Sequence, residues 1–215
     1  MYERAVIFDL DGVIVDSHDV MRRAFVTAHA EVVGAGEAPF AEYERHQGRY
    51  FTDIMTIMGL PLEMEGPFVR ESYRLEGEVA VHDGVRELLA ELRTLGFGLA
   101  IATGKSGVRA RSLLRCLGLL SSFDHVLGSD EVARPKPAPD IVQRALALLG
   151  TAPDSAVMVG DAANDVIAAR QAGVTAIGAL WGALDADDLM VARPEFVLRS
   201  PVELLQVLPL PVVAT

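Results

Sequence analysis

Cysteine and lysine are both scarce in this chain of 215 residues. Its one cysteine, Cys116, has no partner in the chain for a disulfide, and its place among three leucines predicts a buried structural thiol. No cysteine–histidine cluster is present, which argues against a zinc site. Only two lysines, Lys105 and Lys136, stand among 19 basic residues, so a lysine at a motif position is a candidate for a specific role.

Long apolar runs are also lacking. No stretch approaches the ~18 apolar residues that span a bilayer, and Met1–Arg4 leads into the first apolar run without a signal-like segment. The formal charge of -11 would repel nucleic acid and anionic membranes, so we expect neither as a partner. These features favour a cytoplasmic protein. We expect a monomer or a homodimer. An anionic substrate would therefore need a binding site with local positive charge.

Short apolar runs alternate with helical patterns along most of the chain. Each of the helical patterns ends at a glycine, as is typical of helix C-termini. This alternation predicts an α/β fold in which helices wrap a parallel sheet. The predicted strands are Ala5–Phe8, Leu99–Ala102, His125–Leu127, Ala156–Val159 and Thr175–Leu180, and the predicted helices are Val85–Leu95, Val108–Leu117, Ile141–Leu149 and Asp165–Ala172.

The segment between residues 16 and 79 breaks this alternation, since it carries only helical patterns. These cover Val20–Val33, Ala41–Arg49 and Phe68–Val79. We therefore predict an inserted all-α domain at residues 16–79, in a core formed by residues 1–15 and 80–208. The C-terminal pattern Pro201–Leu208 is expected to pack on that core.

Two carboxylates, Asp9 and Asp11, follow the first predicted strand and precede Gly12. Residues two apart at a strand end point to the same side, into the crevice where open α/β sheets place ligands. An acidic turn without chemistry is the alternative for this pair alone.

Further polar groups follow other predicted strands. Thr103 and Gly104 come after one strand, Lys136 stands between two prolines, and Asp161 is followed by Asp165 one helical turn later. For the last pair alone, a helix cap with a surface acid is the simpler reading. Together, a hydroxyl, an ammonium and four carboxylates suit phosphoryl transfer.

Three segments make the chain resemble the haloacid dehalogenase superfamily, in its phosphoglycolate-phosphatase-like and β-phosphoglucomutase-like branch. They are FDLDGVIVDS (Phe8–Ser17), KPAPD (Lys136–Asp140) and VGDAANDVIAARQAG (Val159–Gly173). The resemblance implies a Rossmann-like core with a helical cap that closes over the crevice and selects the substrate. It also implies hydrolysis of a small-molecule phosphate ester through an aspartyl-phosphate.

The resemblance also assigns roles to residues. Asp9 would be the nucleophile, and Asp11 the general acid and base, which requires a pKa well above the usual ~3.9. Thr103 and Lys136 would neutralise charge on the phosphoryl group. The implied substrate-binding set in the core is Leu10, Gly12 and Gly104, and the implied Mg²⁺ set is Asp9, Asp161, Asp165 and Asp11, the last through its backbone carbonyl.

Basic residues in and near the cap are candidate contacts to the leaving group. Arg45, His46 and Arg49 lie in one basic and aromatic stretch, whose alternative interpretation is a solvated helix end. Lys105 is a further candidate, although the nucleotide-binding pattern GxxxxGKS is absent because residue 99 is leucine.

The motifs also narrow the reaction. An acid at Asp11 argues against the dehalogenase branch, and the lack of lysine between residues 16 and 79 argues against the phosphonate-cleaving branch. A sugar-phosphate mutase remains open, but the chain lacks the glycine-serine-arginine run associated with mutase caps, so a phosphatase is favoured. A catalytically silent binding or regulatory member is the remaining alternative.

The sequence defines the substrate less well than it defines the reaction. The cap segments Gln47–Phe51 and Met58–Met64 resemble phosphatases associated with aminohydroxybenzoate synthesis in ansamycin antibiotic pathways. That resemblance would imply a pathway phosphate such as an aminosugar phosphate. Phosphoglycolate is the alternative.

Overall fold

The computed structural model describes residues 2–46 and 49–208, and its strands and helices alternate along most of that length. The strands are β1 Ala5–Phe8, β2 Val15–Asp16, β3 Ala80–Val81, β4 Gly98–Thr103, β5 His125–Gly128, β6 Ala156–Gly160, β7 Thr175–Ala179 and β8 Phe196–Leu198. The helices are α1 His18–Val32, α2 Phe40–Glu44, α3 Phe51–Met58, α4 Glu65–Leu75, α5 Val85–Thr94, α6 Gly107–Cys116, α7 Asp140–Leu149, α8 Ala163–Gln171, α9 Ala186–Val191 and α10 Leu204–Val207.

Six of the strands form a parallel sheet in the order β5-β4-β1-β6-β7-β8. Strand β1 lies in its centre, paired with β4 on one side and β6 on the other. The order reverses at β1, and open α/β sheets bind ligands at such a switch point, outside the carboxyl ends of the strands. The predicted α/β fold with a Rossmann-like parallel sheet is confirmed.

Helices cover both faces of the sheet, which explains why β1 is apolar at every position. Val6 and Phe8 pack in a core cluster with residues of α5, α6 and α10. Ala5 and Ile7 point the other way, into a cluster with residues of α7, α8 and α9. A strand buried on both faces reads as a continuous apolar run.

The helices α1 to α4 lie between β2 and β3 and have a buried cluster of their own. That cluster includes Phe25, Tyr43, Phe51 and Phe68, and none of its residues belongs to the two clusters of the sheet. Strands β2 and β3 pair antiparallel, with Asp16 opposite Ala80, so the two chain connections of this insertion run side by side.

Some predicted elements differ from the structure. The helix expected at Ala41–Arg49 is shorter, since α2 ends at Glu44, and α3 was not predicted. The strands β2 and β3 were also missed, because they are too short to show alternation, and so was the edge strand β8. The C-terminal pattern packs on the core as expected, with Leu204 and Leu208 buried.

Cys116 is exposed, so the prediction of a buried thiol is wrong. It is the last residue of α6, and the buried face of that helix carries Leu113 and Leu114 instead. No helix within the described part of the chain is both long and apolar enough to span a membrane.

Candidate active site

Adjacent strands of the sheet bring three predicted site residues to one edge. Asp9 directly follows β1, Thr103 is the last residue of β4, and Asp161 directly follows β6. The Asp9 N–H donates to the carbonyl of Val159 at 2.9 Å, which extends the ladder between β1 and β6. Asp161 therefore precedes α8 rather than lying on it, while Asp165 lies in the first turn of that helix.

Lys136 lies beneath this edge and is only 2% exposed. Its Nζ atom is 2.6 Å from Asp165 Oδ1 and 3.1 Å from Asp9 Oδ2, and it donates to the carbonyl of Ala102 at 3.0 Å. Burial disfavours the charge of Lys136, but Asp165 and Asp9 outweigh it and raise its pKa above the ordinary value. The ammonium thus links two carboxylates that the sequence separates widely.

Three carboxylates converge above Lys136. One oxygen of each of Asp9, Asp161 and Asp165 lies within 4.8 Å of the other two. Burial raises the pKa of Asp9 to about 7, with Asp165 and Asp11 adding to the rise and Lys136 opposing it. Burial, followed by the charges of Asp165 and Asp9, also raises the pKa of Asp161 well above its usual range.

These raised values arise mainly from burial, which the nearby Lys136 charge does not offset. A divalent cation would supply further positive charge, and a set made only of oxygen atoms suits a hard ion such as Mg²⁺. Asp9, Asp161 and Asp165 therefore fit a metal, as the sequence motifs predicted. The Asp11 carboxylate is not in this group; a contribution through its backbone carbonyl stays a prediction.

Asp11 points instead toward the cavity wall. Its Oδ1 accepts a hydrogen bond from the Ser17 hydroxyl at 2.6 Å, and its Oδ2 lies 3.2 Å from Lys105 Nζ. Although burial acts to raise it, the Lys105 ammonium and the Ser17 hydroxyl hold the pKa of Asp11 below its ordinary value. The expectation of a raised pKa is wrong for this state, because a cation and a hydroxyl, rather than carboxylates, are its nearest partners.

The backbone around these acids is tightly packed. Gly12 adopts a φ of +78°, and a Cβ atom there would lie 2.0 Å from Asp161 Oδ2. The Leu10 N–H donates to Asp9 Oδ1 at 2.7 Å, and the Leu10 side chain is fully buried. Leu10 and Gly12 thus shape and orient the acids, whereas their predicted contact with substrate stays a prediction.

A cavity of about 620 Å³, which includes space open to solvent, lies between these acids and the helical insertion. Thr103, Gly104 and Lys105 line it from the sheet side, and the hydroxyl of Thr103 accepts a hydrogen bond from the Lys105 N–H at 3.2 Å. Arg49 lines it from the insertion. Aromatic residues of the insertion form much of the remaining wall, among them Tyr43, Tyr50, Phe51 and Phe68.

The other predicted cap contacts lie elsewhere. Arg45 is exposed and lines a separate cleft that also borders Asp161. His46 is partly buried and is not among the described residues that line the cavity. The intervening Gln47 and Gly48, part of the predicted basic and aromatic stretch, lie outside the described residues.

Arg109 and Tyr43 are among the cavity residues that were missed at the sequence level. Arg109 lies in the first turn of α6, four residues after Lys105, and Tyr43 lies in α2. Both look like ordinary helix residues in the sequence. The nearest available signal for Arg109 was its place in the helix that follows the Thr103-Gly104-Lys105 turn.

The sheet topology, the acids at the strand ends and the buried lysine define an α/β protein with an acidic, metal-compatible site at the switch point of its sheet. Residues 3–173 match the family model described as haloacid dehalogenase-like hydrolase. The chain belongs to this haloacid dehalogenase-like hydrolase family, as the motifs indicated.

Several relatives in the comparison are named as phosphatases. The chain is 36% identical over 208 residues to the probable phosphatase IndB of Dickeya dadantii, covering 91% of this chain and 89% of that protein. It is 34% identical to a phosphoglycolate phosphatase of Chromobacterium violaceum, covering 86% and 89%. A solved hydrolase from Pseudomonas syringae superposes with a TM-score of 0.82 at 25% identity, covering 94% of this chain and 96% of that one. The protein is therefore a phosphatase-type hydrolase that acts on phosphoric monoesters.

Proposed function

We propose that this protein is a Mg²⁺-dependent phosphatase that hydrolyses a small organic phosphate ester through an aspartyl-phosphate on Asp9. The observation that carries the proposal is the contact of Asp9 Oδ2 with Lys136 Nζ at 3.1 Å, at the edge of a cavity that opens to solvent between the sheet and the helical insertion. The lysine holds the carboxylate in place, and its charge offsets the negative charge of an incoming phosphoryl group.

In the first step, an Asp9 oxygen forms a bond to phosphorus while the bond from phosphorus to the ester oxygen breaks. Asp11 gives its proton to that leaving oxygen. In the second step, water attacks phosphorus, its proton passes to the Asp11 carboxylate, and the bond to Asp9 breaks to release inorganic phosphate. Splitting the reaction in this way replaces one difficult step by two easier ones.

Asp11 must be protonated before the first step, yet in this structure Lys105 favours its ionised form. We propose that the bound phosphoryl group attracts the Lys105 ammonium, which weakens its contact with Asp11 and raises the pKa of that carboxyl. Thr103 would donate its hydroxyl hydrogen to a phosphoryl oxygen, since its oxygen already accepts the Lys105 N–H.

Asp9, Asp161 and Asp165 would hold Mg²⁺, with the Asp11 carbonyl as a further ligand. The bound ion would neutralise charge on the phosphoryl oxygens. Residues 16–79 would act as a cap, in keeping with their separate buried cluster and their paired connections β2 and β3. Arg49 would face the leaving group from this cap. We also propose that the protein is cytoplasmic and that it is a monomer or a homodimer.

A test of this function measures phosphate release from a panel of esters, with Mg²⁺ and with EDTA. The panel includes phosphoglycolate, hexose phosphates and aminosugar phosphates, the last because aminohydroxybenzoate pathways are one candidate source of the substrate. Release that needs Mg²⁺ and is absent in Asp9→Asn supports the proposal. Asp9→Asn should keep its fold, since Lys136 retains Asp165 and the Ala102 carbonyl as partners.

The same panel separates the phosphatase from its rivals. Conversion of a sugar phosphate into its isomer without phosphate release would indicate a mutase. Wild-type activity in Asp9→Asn would contradict the assignment of the nucleophile. Absence of both reactions across the panel would favour a binding or regulatory role.

A further inference from the structure

One part of the cavity wall combines a cation, Arg109, with an aromatic surface. Arg109 Cζ lies 5.0 Å from the ring centroid of Phe68, a residue of the helical insertion. Among the described residues, Arg109 forms no hydrogen bond or ion pair. By contrast, the Lys105 ammonium in the same cavity is already paired with Asp11.

An unpaired guanidinium in this position is informative because acids outnumber bases in this chain by 30 to 19. The cation–π contact with Phe68 holds the guanidinium against the ring, and a guanidinium so held can present its N–H donors to an oxyanion. Arg109 is partly buried, so such a bond would be formed away from bulk water.

Tyr43, like Arg109, lies near Phe68, since the two ring centroids are 6.1 Å apart. The residue is 4% exposed, and its hydroxyl has no hydrogen-bond partner among the described residues. Among the described residues, His82 Nε2 is the side-chain polar atom that is both fully enclosed and without a partner. The Tyr43 oxygen also has no partner but is not fully enclosed, so it is open to the cavity that Tyr43 lines. A buried hydroxyl usually has a partner, so this one is available to a ligand.

Much of the remaining surface near these two groups is apolar, although Arg49, Tyr50 and Ser106 also line the cavity. Phe51 stacks on Phe68 with ring centroids 4.2 Å apart, and Ile54 and Met21 also line the cavity. A polyhydroxylated leaving group would leave hydroxyls without partners against such a wall, which costs free energy. A flat apolar group would match it.

We propose that Arg109 and Tyr43 form a specificity subsite for the leaving group, and that this group is an aromatic ring bearing a carboxylate or comparable oxyanion. The inference rests on the proposed phosphatase function, because it defines what the same site accepts. The ring lies against the aromatic wall, the oxyanion pairs with Arg109, and the Tyr43 hydroxyl bonds a ring substituent.

The test compares 3-carboxyphenyl phosphate with 3-carbamoylphenyl phosphate, which has nearly the same shape but no charge. The wild-type kcat/KM should favour the carboxylate by about 10- to 100-fold, as expected for one charge-assisted hydrogen bond. In Arg109→Met, which keeps an apolar stem against Phe68, this ratio should fall to about 1. Arg115→Met, an exposed change on the same helix, should keep the wild-type ratio.

A binding experiment decides the inference without turnover. Calorimetry with (3-carboxybenzyl)phosphonate and its carbamoyl analogue should show the same preference in the wild type, and its loss in Arg109→Met. Tyr43→Phe should weaken the binding of both phosphonates that carry a ring substituent more than it weakens the binding of unsubstituted benzylphosphonate. Phosphonoacetate, which has the oxyanion but no ring, should bind more weakly than the carboxylated ring.

Each outcome has a defined meaning. Equal wild-type affinity for the charged and neutral rings overturns the subsite, whether or not the esters are hydrolysed. Tighter binding of phosphonoacetate overturns the choice of an aromatic group. If the charge preference appears in binding but no ester releases phosphate, the subsite stands and the proposed phosphatase function fails.

Discussion

Lys105 Nζ and Asp11 Oδ2 lie 3.2 Å apart, so the proposed general acid of this protein is paired with a cation. Burial of Asp11 opposes ionisation, but the pair keeps the pKa of its carboxyl below the ordinary value. Asp11, which must be protonated for the first step, is thereby held in its ionised form until another anion, such as the bound phosphoryl group, competes for Lys105. This relationship makes the pH dependence of the reaction a direct probe of the site.

We expect Lys105→Met to move the alkaline limb of the kcat/KM profile to higher pH. The reason is that Asp11 must be protonated in the free enzyme, and loss of the neighbouring cation raises its pKa. The maximal kcat/KM should also fall, because the phosphoryl group loses a favourable charge. A profile with an unmoved alkaline limb would mean that Asp11 is not the titrating acid.

Metal affinity should increase with pH. Protons compete with Mg²⁺ for Asp9 and Asp161, whose pKa values are both raised, and Asp9, with a pKa of about 7, loses its proton as the pH rises through neutrality. Titration of Mg²⁺ by calorimetry should show tighter binding at pH 8 than at pH 6. Affinity independent of pH over this range would contradict the role of these acids as ligands.

Gly12→Ala should disrupt the site through a steric contact. Its Cβ would meet Asp161 Oδ2 at 2.0 Å in addition to the strain of a φ of +78°. Gly118→Ala is the matched control, because its φ is +69° and nothing lies within 4 Å of the added carbon. Both should cost about 1 kcal/mol of stability from backbone strain.

Only Gly12→Ala should also weaken Mg²⁺ binding and lower kcat by about 10-fold or more, because it displaces Asp161. Thermal unfolding and calorimetry measure the two effects separately. Equal activity of the two variants would show that the close approach of Gly12 to Asp161 is not needed.

Asp124 should contribute to stability in a pH-dependent way. Its carboxylate accepts hydrogen bonds from the Tyr2 hydroxyl at 2.7 Å, Arg93 at 2.7 Å and the Leu99 N–H at 2.9 Å. Burial opposes the charge of Asp124, but these donors lower its pKa below the ordinary 3.8. We expect Asp124→Asn to reduce the free energy of unfolding by about 1 to 3 kcal/mol at pH 7.

The lowered pKa sets the direction of the pH effect. The stabilisation is complete above the unfolded pKa of 3.8 and is lost as the pH falls through the lower folded value. Urea unfolding at pH 7 and pH 3 should therefore show a smaller difference between Asp124→Asn and wild type at pH 3. Glu37→Gln, an exposed change, serves as the control. A difference that grows at pH 3 would refute this linkage.

The sheet was predictable because strands such as Ala5–Phe8 are buried on both faces and read as unbroken apolar runs. Asp9, Thr103 and Asp161 were predictable for a related reason, since parallel strand ends meet at one edge. The pairing of Asp11 with Lys105 was not, because it depends on how two loops approach each other. Nor does any local pattern place Lys136 beneath Asp9; only the resemblance of the motifs indicated it.

The helical insertion was predicted less well than the core. Helix α2, which begins at Phe40, ends at Glu44 rather than reaching Arg49. No sequence pattern separated the cavity residue Tyr43 from ordinary core positions. Side chains that line a cavity and side chains that fill a core are both apolar or aromatic. Their difference lies in packing, which single-chain periodicity does not contain.

The central claim is that Asp9 carries the phosphoryl group during turnover. Borohydride added during steady-state hydrolysis reduces an acyl phosphate to an alcohol, which would convert the modified aspartate to homoserine. Peptide mass spectrometry should find homoserine at position 9, not at position 11, and neither in Asp9→Asn nor without substrate. Phosphate release with no reduction at position 9, or with reduction at another carboxylate, would contradict the account.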